Sequence, residues 1–281
     1  MTMSDHDRQV LQALADARQQ HGELAELLDF YHDLYQAQFE AKASLPEPEV
    51  RESLAMRQRL AEGVPQLAFD QLGIEPEPFA WLVAQISAVL LRHNPAWEAD
   101  RHGQSAPSEE LLALARQVFE TWDTLTGPKL DAKCQPGAQT APADRPMLAV
   151  GFALAPYLQR AAEVILLRLD LSLWVKGSCP VCGGQPNLAL FEQSRGARQL
   201  FCSRCDGSWS YQRVGCPFCG SGGKQTYYPS QDGAHRLYVC PDCHRYLKTV
   251  DLRGIHRAVY PLVERLVLVG MDLAAHQMGC A

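Results

Sequence analysis

Cysteine spacing is the feature that most narrows what this chain can become. Between Cys179 and Cys243 the sequence holds four Cys-x-x-Cys pairs, Cys179/Cys182, Cys202/Cys205, Cys216/Cys219 and Cys240/Cys243, separated by 19, 10 and 20 residues. Two cysteines three apart in a tight turn can point both sulfurs at one ion, while the amides of the turn face the thiolates and stabilise their charge. Four such sulfurs complete a tetrahedral shell. The 19 or 20 intervening residues suffice for a hairpin that returns the second turn to the first. An internal repeat supports pairing neighbours in sequence: Cys179-Pro180-Val181-Cys182-Gly183-Gly184 recurs as Cys216-Pro217-Phe218-Cys219-Gly220. The spacing therefore predicts two consecutive sites, Cys179, Cys182, Cys202 and Cys205 in the first and Cys216, Cys219, Cys240 and Cys243 in the second. A cross-braced arrangement, joining the first pair with the third, is the open alternative.

Disulfides are disfavoured by the expected compartment. Met1 to Gln20 is charged at Asp5, Asp7, Arg8, Asp16 and Arg18 and has no central apolar block, so it does not read as a secretory signal. The uncharged run Pro146 to Gln159 is too short to span a bilayer, which needs about 20 apolar residues. A cytoplasmic protein with ten cysteines points to metal ligation. Thioredoxin-like redox chemistry fits poorly, because it uses a single Cys-x-x-Cys at a helix start. Cys134 and Cys280 have no partner at ligand spacing and read as structural or incidental. Four-thiolate sites suit zinc, and equally a single iron as in rubredoxin, whose turns are also of the Cys-Pro-x-Cys-Gly kind.

The residues before this region read as helices. Apolar side chains recur at spacings of three and four through Leu24, Leu27, Leu28, Tyr31, Leu34 and Tyr35, and again through Leu111, Leu112, Ala115, Val118, Phe119 and Trp122. Starts are marked by Ser4 before Asp7, by Pro78 before Phe79, Leu82, Val83, Ile86 and Leu90, and by Ser108 before Glu109 and Glu110. At least four helices are expected in the first 126 residues. Gly127 to Pro146, with Pro128, Pro136, Pro142 and Pro146, predicts a loop. Met147 to Trp174 predicts a buried helix kinked or broken at Pro156. Strand-like residues precede the second turn of each half, Arg198 to Phe201 and His235 to Val239, and Asp232-Gly233 offers a hairpin turn. Tyr260 to Gln277 predicts one closing helix through Leu262, Val263, Leu266, Val269 and Leu273. The expected fold is α+β: a mainly helical domain over 1–175, two tandem rubredoxin-like or zinc-ribbon modules over 176–214 and 215–257, and a C-terminal helix over 258–281.

Catalysis is not expected. Gly220, Gly222, Gly223 and Lys224 fail the phosphate-loop pattern, since Phe218 stands where glycine is required and Gln225 where Ser or Thr is required. No zinc-protease, nucleophile-elbow or dinucleotide motif is present. Ions held by four sulfurs offer no position for a reactive water. His235, His244 and His256 read as surface or supporting histidines. A nucleic-acid-binding ribbon is the competing class. The window 176–257 holds 11 Lys or Arg against 5 Asp or Glu, but eight thiolates and two divalent ions bring it near neutrality, and the whole chain carries −6. Nucleic acid is therefore not an expected partner, and the charge split suits a protein.

The four turns and their surroundings resemble the FdhE family of formate dehydrogenase accessory proteins. The resemblance rests on Cys202-Ser203-Arg204-Cys205 followed by Trp209, on Arg213 before Cys216, and on Cys240-Pro241-Asp242-Cys243 followed by Tyr246-Leu247-Lys248. It implies a non-catalytic assembly factor that contacts the enzyme's catalytic subunit in the cytoplasm. It also gives weight to iron, since the family's sites look rubredoxin-like, and carries over the eight cysteines as ligands. Trp209, Tyr211, Arg213 and Tyr246 are the expected partner surface, because aromatic residues and arginine are enriched at interface centres. An iron-dependent redox protein is the remaining alternative.

Overall fold

The structure, a computed structural model, describes residues 2–48, 54–94, 106–126, 145–194, 196–223 and 225–280. Among the described residues of the first 126 there are five α-helices: α1 (Asp5–Gln20), α2 (Ala25–Ser44), α3 (Leu54–Ala61), α4 (Pro76–His93) and α5 (Ser108–Thr126). The Ser4 hydroxyl accepts the Asp7 N–H at 3.1 Å, which caps α1 as the sequence predicts. α4 begins two residues before Pro78, at Pro76, where a missing N–H costs nothing. The apolar stripes face inward: Leu28, Leu34 and Tyr35 of α2, Phe79, Leu82, Val83, Ile86 and Leu90 of α4, and Leu111, Ala115 and Val118 of α5 are buried.

Two compact units divide the chain. The first comprises Met1–Glu49, Leu67–Thr126 and Ala141–Ala161, and the second Val50–Gln66, Gly127–Thr140 and Ala162–Ala281. In the first unit α2 packs on α1 and on α4, and α4 packs on α5. A buried ion pair, Lys42 Nζ to Asp7 Oδ1 at 2.7 Å, ties α2 to α1. The grouping assigns residues 50–66 and 162–175 to the ribbon unit, whereas composition placed all of 1–175 in the helical domain. A backbone bond from Gln66 N–H to Pro180 C=O at 2.9 Å is one reason.

The long helix α6 (Arg145–Arg168) runs through Pro156 without a break, so of the kink or break expected there the break does not occur. Pro146 lies in its first turn; the rest of the predicted loop, 127–144, and Cys134 lie outside the described residues. Proline has no N–H for the carbonyl four residues earlier. That carbonyl, Phe152 C=O, instead accepts a bond from Gln38 Nε2 at 2.8 Å. Among the described residues one helical stretch, Pro146–Arg168, is long and apolar enough to cross a membrane, longer than the uncharged run read in the sequence. Its most apolar window has a mean hydropathy of 1.3 and is 61% buried.

The second unit is built on one six-stranded sheet: β1 (Pro186–Phe191), β2 (Arg198–Cys202), β3 (Ser208–Tyr211), β4 (Thr226–Pro229), β5 (His235–Val239) and β6 (Tyr246–Asp251). The order is β3-β2-β1-β6-β5-β4. Each ribbon is an antiparallel three-stranded meander, and the two join through a parallel pairing of β1 with β6, Leu188 opposite Lys248 and Phe191 opposite Asp251. The first strand of one ribbon thus lies beside the third strand of the other, so the duplicated halves repeat by translation across the sheet.

The chain closes with two helices rather than one, α7 (Pro261–Val267) and α8 (Val269–Gln277), separated at Leu268. Leu268 packs with Leu188, Leu190, Val250 and Ile255, while Ala275 and Cys280 pack on Leu237. The break lets both segments follow the sheet, and it leaves Leu273 of the predicted stripe 59% exposed.

Candidate metal centres

Three of the four Cys-x-x-Cys pairs are local loops with the same two hydrogen bonds, and the fourth shares the first of them, Cys202 N–H to Gly207 C=O at 2.9 Å. Cys179 N–H donates to Gly184 C=O at 2.8 Å and Gly183 N–H returns to Cys179 C=O at 3.0 Å. Cys216 with Ser221 and Gly220 repeats this, as does Cys240 with Arg245 and His244. In all four turns the residue after the second cysteine has positive φ: Gly183 (77°), Asp206 (55°), Gly220 (73°) and His244 (55°). Glycine takes this left-handed conformation without steric cost, which explains the Cys-Gly of the first turn in each ribbon. Asp and His occupy it in the second turns, and Asp206 is held there by Arg265, whose Nη1 donates to Oδ1 at 2.7 Å. Gly184 has a different reason: a Cβ there would stand 2.9 Å from the Cys202 sulfur.

The turns bring the eight sulfurs into two clusters, Cys179, Cys182, Cys202, Cys205 and Cys216, Cys219, Cys240, Cys243, with all four sulfurs of each within 4.8 Å of one another. Neighbours in sequence pair, and the cross-braced alternative is not what the fold forms. Cys179 to Cys205 and Cys182 to Cys202 are each 3.5 Å, Cys216 to Cys243 is 3.6 Å and Cys219 to Cys240 is 3.7 Å. A tetrahedron of sulfurs about 2.3 Å from its centre has edges of about 3.8 Å, so both clusters fit a zinc or ferrous or ferric ion. None of the described cysteines is in a disulfide.

The thiols at each centre are mutually coupled. Burial pushes Cys179 up, and hydrogen bonds with the neighbouring sulfurs push Cys205 up and hold Cys182 down. In the second cluster burial pushes Cys216 up to about 11. Thiols packed this closely ionise together only against a cation, which is the chemistry a metal supplies. The clusters differ in access. All four cysteines of the first are buried, whereas in the second Cys219 is exposed and Cys243 half-buried.

The residues expected to form a partner surface separate. Trp209 is 1% exposed, and its Nε1 donates to Lys176 C=O at 3.3 Å. It is a core residue of the first ribbon, buried beside its cross-strand partner Leu200 on the same face as Tyr211. Tyr246 lies on the sheet face covered by α8, where its hydroxyl donates to Asp272 Oδ1 at 2.9 Å and burial pushes its pKa up. Tyr211 is half-buried and donates to Cys216 C=O at 3.2 Å, while Arg213 is exposed with its guanidinium 5.8 Å from the Phe191 ring centroid. Sequence reasoning passed over Arg198, Tyr227 and Tyr238. They lie on the same face as Tyr211, and only strand register reveals it.

A helical unit and a duplicated ribbon with two four-cysteine clusters define a class of α+β protein with two candidate metal centres. Residues 178–213, the first ribbon, match the family model described as "FdhE, central domain". The chain is 28% identical over 231 residues to the protein FdhE homolog of Aquifex aeolicus, spanning 79% of this chain and 73% of that protein. It is 33% identical over 108 residues to the homolog of Glaesserella parasuis, spanning 37% and 35%. In fold it is similar to the crystal structure of the FdhE protein from Pseudomonas aeruginosa, with a TM-score of 0.67, 21% identity, and coverage of 98% of this chain and 92% of that one. The resemblance to the FdhE family read at the cysteine turns is borne out.

Proposed function

We propose that this protein is a non-catalytic, metal-stabilised accessory factor for the assembly of formate dehydrogenase, and that it acts by binding that enzyme's catalytic subunit in the cytoplasm. The eight clustered cysteines are its ligands, four to each ion, and the ions are iron or zinc. The observation that carries the reading is closure: each cluster supplies four sulfurs at tetrahedral spacing, which leaves no coordination position for a substrate. Such centres hold a surface in shape. The family likeness supplies the client, and the aromatic and arginine residues of the ribbons supply a surface suited to a protein.

The test is retention of the catalytic subunit by tagged full-length protein, together with formate oxidation in a deletion strain. Co-purification and loss of formate oxidation are expected. Failure to retain the subunit, with formate oxidation unchanged, would overturn the proposal. Elemental analysis and an absorption spectrum on protein purified without added metal decide the ion, since ferric iron bound by four thiolates is strongly coloured and zinc is not.

A further inference from the structure

One face of the sheet is covered by α7 and α8; the other carries a band of aromatic rings under arginines. The registers align Tyr211, Arg198 and Phe191 across β3, β2 and β1 on that second face, and Tyr238 with Tyr227 across β5 and β4. The Phe191 and Tyr238 ring centroids are 6.2 Å apart and those of Tyr238 and Tyr227 5.5 Å. Arg213 stands 5.8 Å from the Phe191 ring, Arg198 5.8 Å from Tyr238, and Arg236 5.6 Å from Tyr227. Phe191 is 3% exposed and Arg198 2%, so they form a buried floor, while at the sheet edge Tyr227 is 52% exposed and leaves that end of the band open.

The charge on this face is not balanced. Arg236 and Arg253 share one carboxylate, Asp251, at 2.9 and 2.6 Å. Arg213 and Arg198 have no carboxylate partner among the described residues. Arg198 is 2% exposed; its Nη1 donates to Gly215 C=O at 2.9 Å, while its Nε and Nη2 have no hydrogen-bond partner. Arg253 places Nε and Nη2 on Asp251. Its free Nη1 and that of Arg213 converge over Gly196: a Cβ built on that glycine would lie 3.6 Å from each. Two guanidinium groups converging on one notch, beside a buried cation short of acceptors, are arranged for an arriving carboxylate.

We propose that this face docks an extended acidic segment of the partner polypeptide, its side-chain stems lying across Tyr227 and the half-buried Tyr238 at the edge of the sheet and its carboxylates meeting Arg213 and Arg253. The proposal rests on the reading of the protein as a binder of another polypeptide and names the surface and the chemistry of what it takes. Aromatic rings with arginines also suit single-stranded nucleic acid. The formal charge of −6 on the whole chain opposes a long polyanion and tolerates a short acidic strand.

The experiment is fluorescence anisotropy on the full-length, metal-replete protein with three labelled probes: a peptide of alternating Glu and Val, the same peptide with Lys for Glu, and a single-stranded oligonucleotide. The Glu peptide should bind, more weakly as salt rises. Arg213→Glu and Tyr227→Ser should each weaken it about tenfold or more at unchanged metal content. Equal binding of the Lys peptide, tighter binding of the oligonucleotide, or variants that bind like the parent would overturn the proposal. Retention of the formate dehydrogenase catalytic subunit separates the two readings. If the parent and Arg213→Glu retain it equally, the surface is wrong and the accessory function stands. If the parent retains none, the accessory reading fails and the peptide measurements alone judge the surface.

Discussion

Gln38 of α2 donates its side-chain amide to the carbonyl of Phe152 in α6 at 2.8 Å, and that carbonyl is the one Pro156 cannot reach. Gln38 is 2% exposed. A buried polar side chain in an otherwise apolar stripe therefore completes the backbone bonding of a neighbouring helix.

Replacing it tests this directly. Gln38→Leu strands the Phe152 carbonyl and should cost about 1–3 kcal/mol of stability. Pro156→Ala restores an N–H to the same carbonyl, so the double variant should recover part of that loss. Urea denaturation of the four proteins measures the coupling, and strictly additive effects would rule out the shared carbonyl.

The glycines after Cys182 predict two different failures. Gly183→Ala forces a side chain into positive φ and should cost about 1–2 kcal/mol, read as a lowered melting temperature. Gly184→Ala places a Cβ against the Cys202 sulfur, so it should lose the metal of the first centre and keep that of the second. Metal content per chain, near one rather than two, is the readout.

Unequal access predicts the order in which the centres give way. Under a thiol-alkylating reagent with a chelator, Cys219 and Cys243 should be modified first and one equivalent of metal released, with Cys179, Cys182, Cys202 and Cys205 following slowly. Cys179→Ser should expose Cys182, Cys202 and Cys205 to alkylation and spare the second set. Mass spectrometry of the modified peptides reads both, and exposure of Cys216 and Cys219 by Cys179→Ser would contradict the clustering.

A pH dependence follows from the tether between β5 and α7. His235 Nδ1 meets Asp232 Oδ2 at 2.7 Å, and its Nε2 lies 3.6 Å from Glu264 Oε2, whose other oxygen accepts from Arg257. Glu264 and then Asp232 raise the His235 pKa above its ordinary 6.5. Burial opposes the ionisation of Asp232, but its hydrogen bonds from Ser230, Ala234 and His235 prevail and lower its pKa to about 2. The histidine's contribution is full below 6.5 and is lost as pH rises through its raised value. That of Asp232 is present above 3.8 and is lost as pH falls towards about 2. His235→Gln should therefore destabilise by about 1 kcal/mol near pH 5 to 6, and the difference should shrink above neutrality. Melting temperatures of both proteins across that range check the sign.

The helices were legible where one stripe meets one partner. Leu28, Leu34 and Tyr35, and Phe79 to Leu90, are buried as their spacing predicts. The break at Leu268 was not, because Leu266, Val269 and Leu273 keep helical spacing through it, while the packing of Leu268 on Leu188, Leu190 and Val250 is set by the tertiary structure. Trp209 read as a surface aromatic because composition cannot tell what packs over a strand; it is buried beside Leu200 with its indole N–H on the Lys176 carbonyl, a contact that sequence does not reveal.

By itself the sequence determined the two centres. A Cys-x-x-Cys turn closes within about six residues, its hydrogen bonds are local, and the glycine after it in the first turn of each ribbon is favoured by the positive φ that position takes. Tertiary structure decided how the ribbons combine. Joining β1 to β6 in parallel depends on contacts about sixty residues apart, which no local pattern encodes. That junction fuses two ribbons into one sheet, sends one face to the C-terminal helices, and sets Tyr238 and Tyr227 on the other above the buried Phe191.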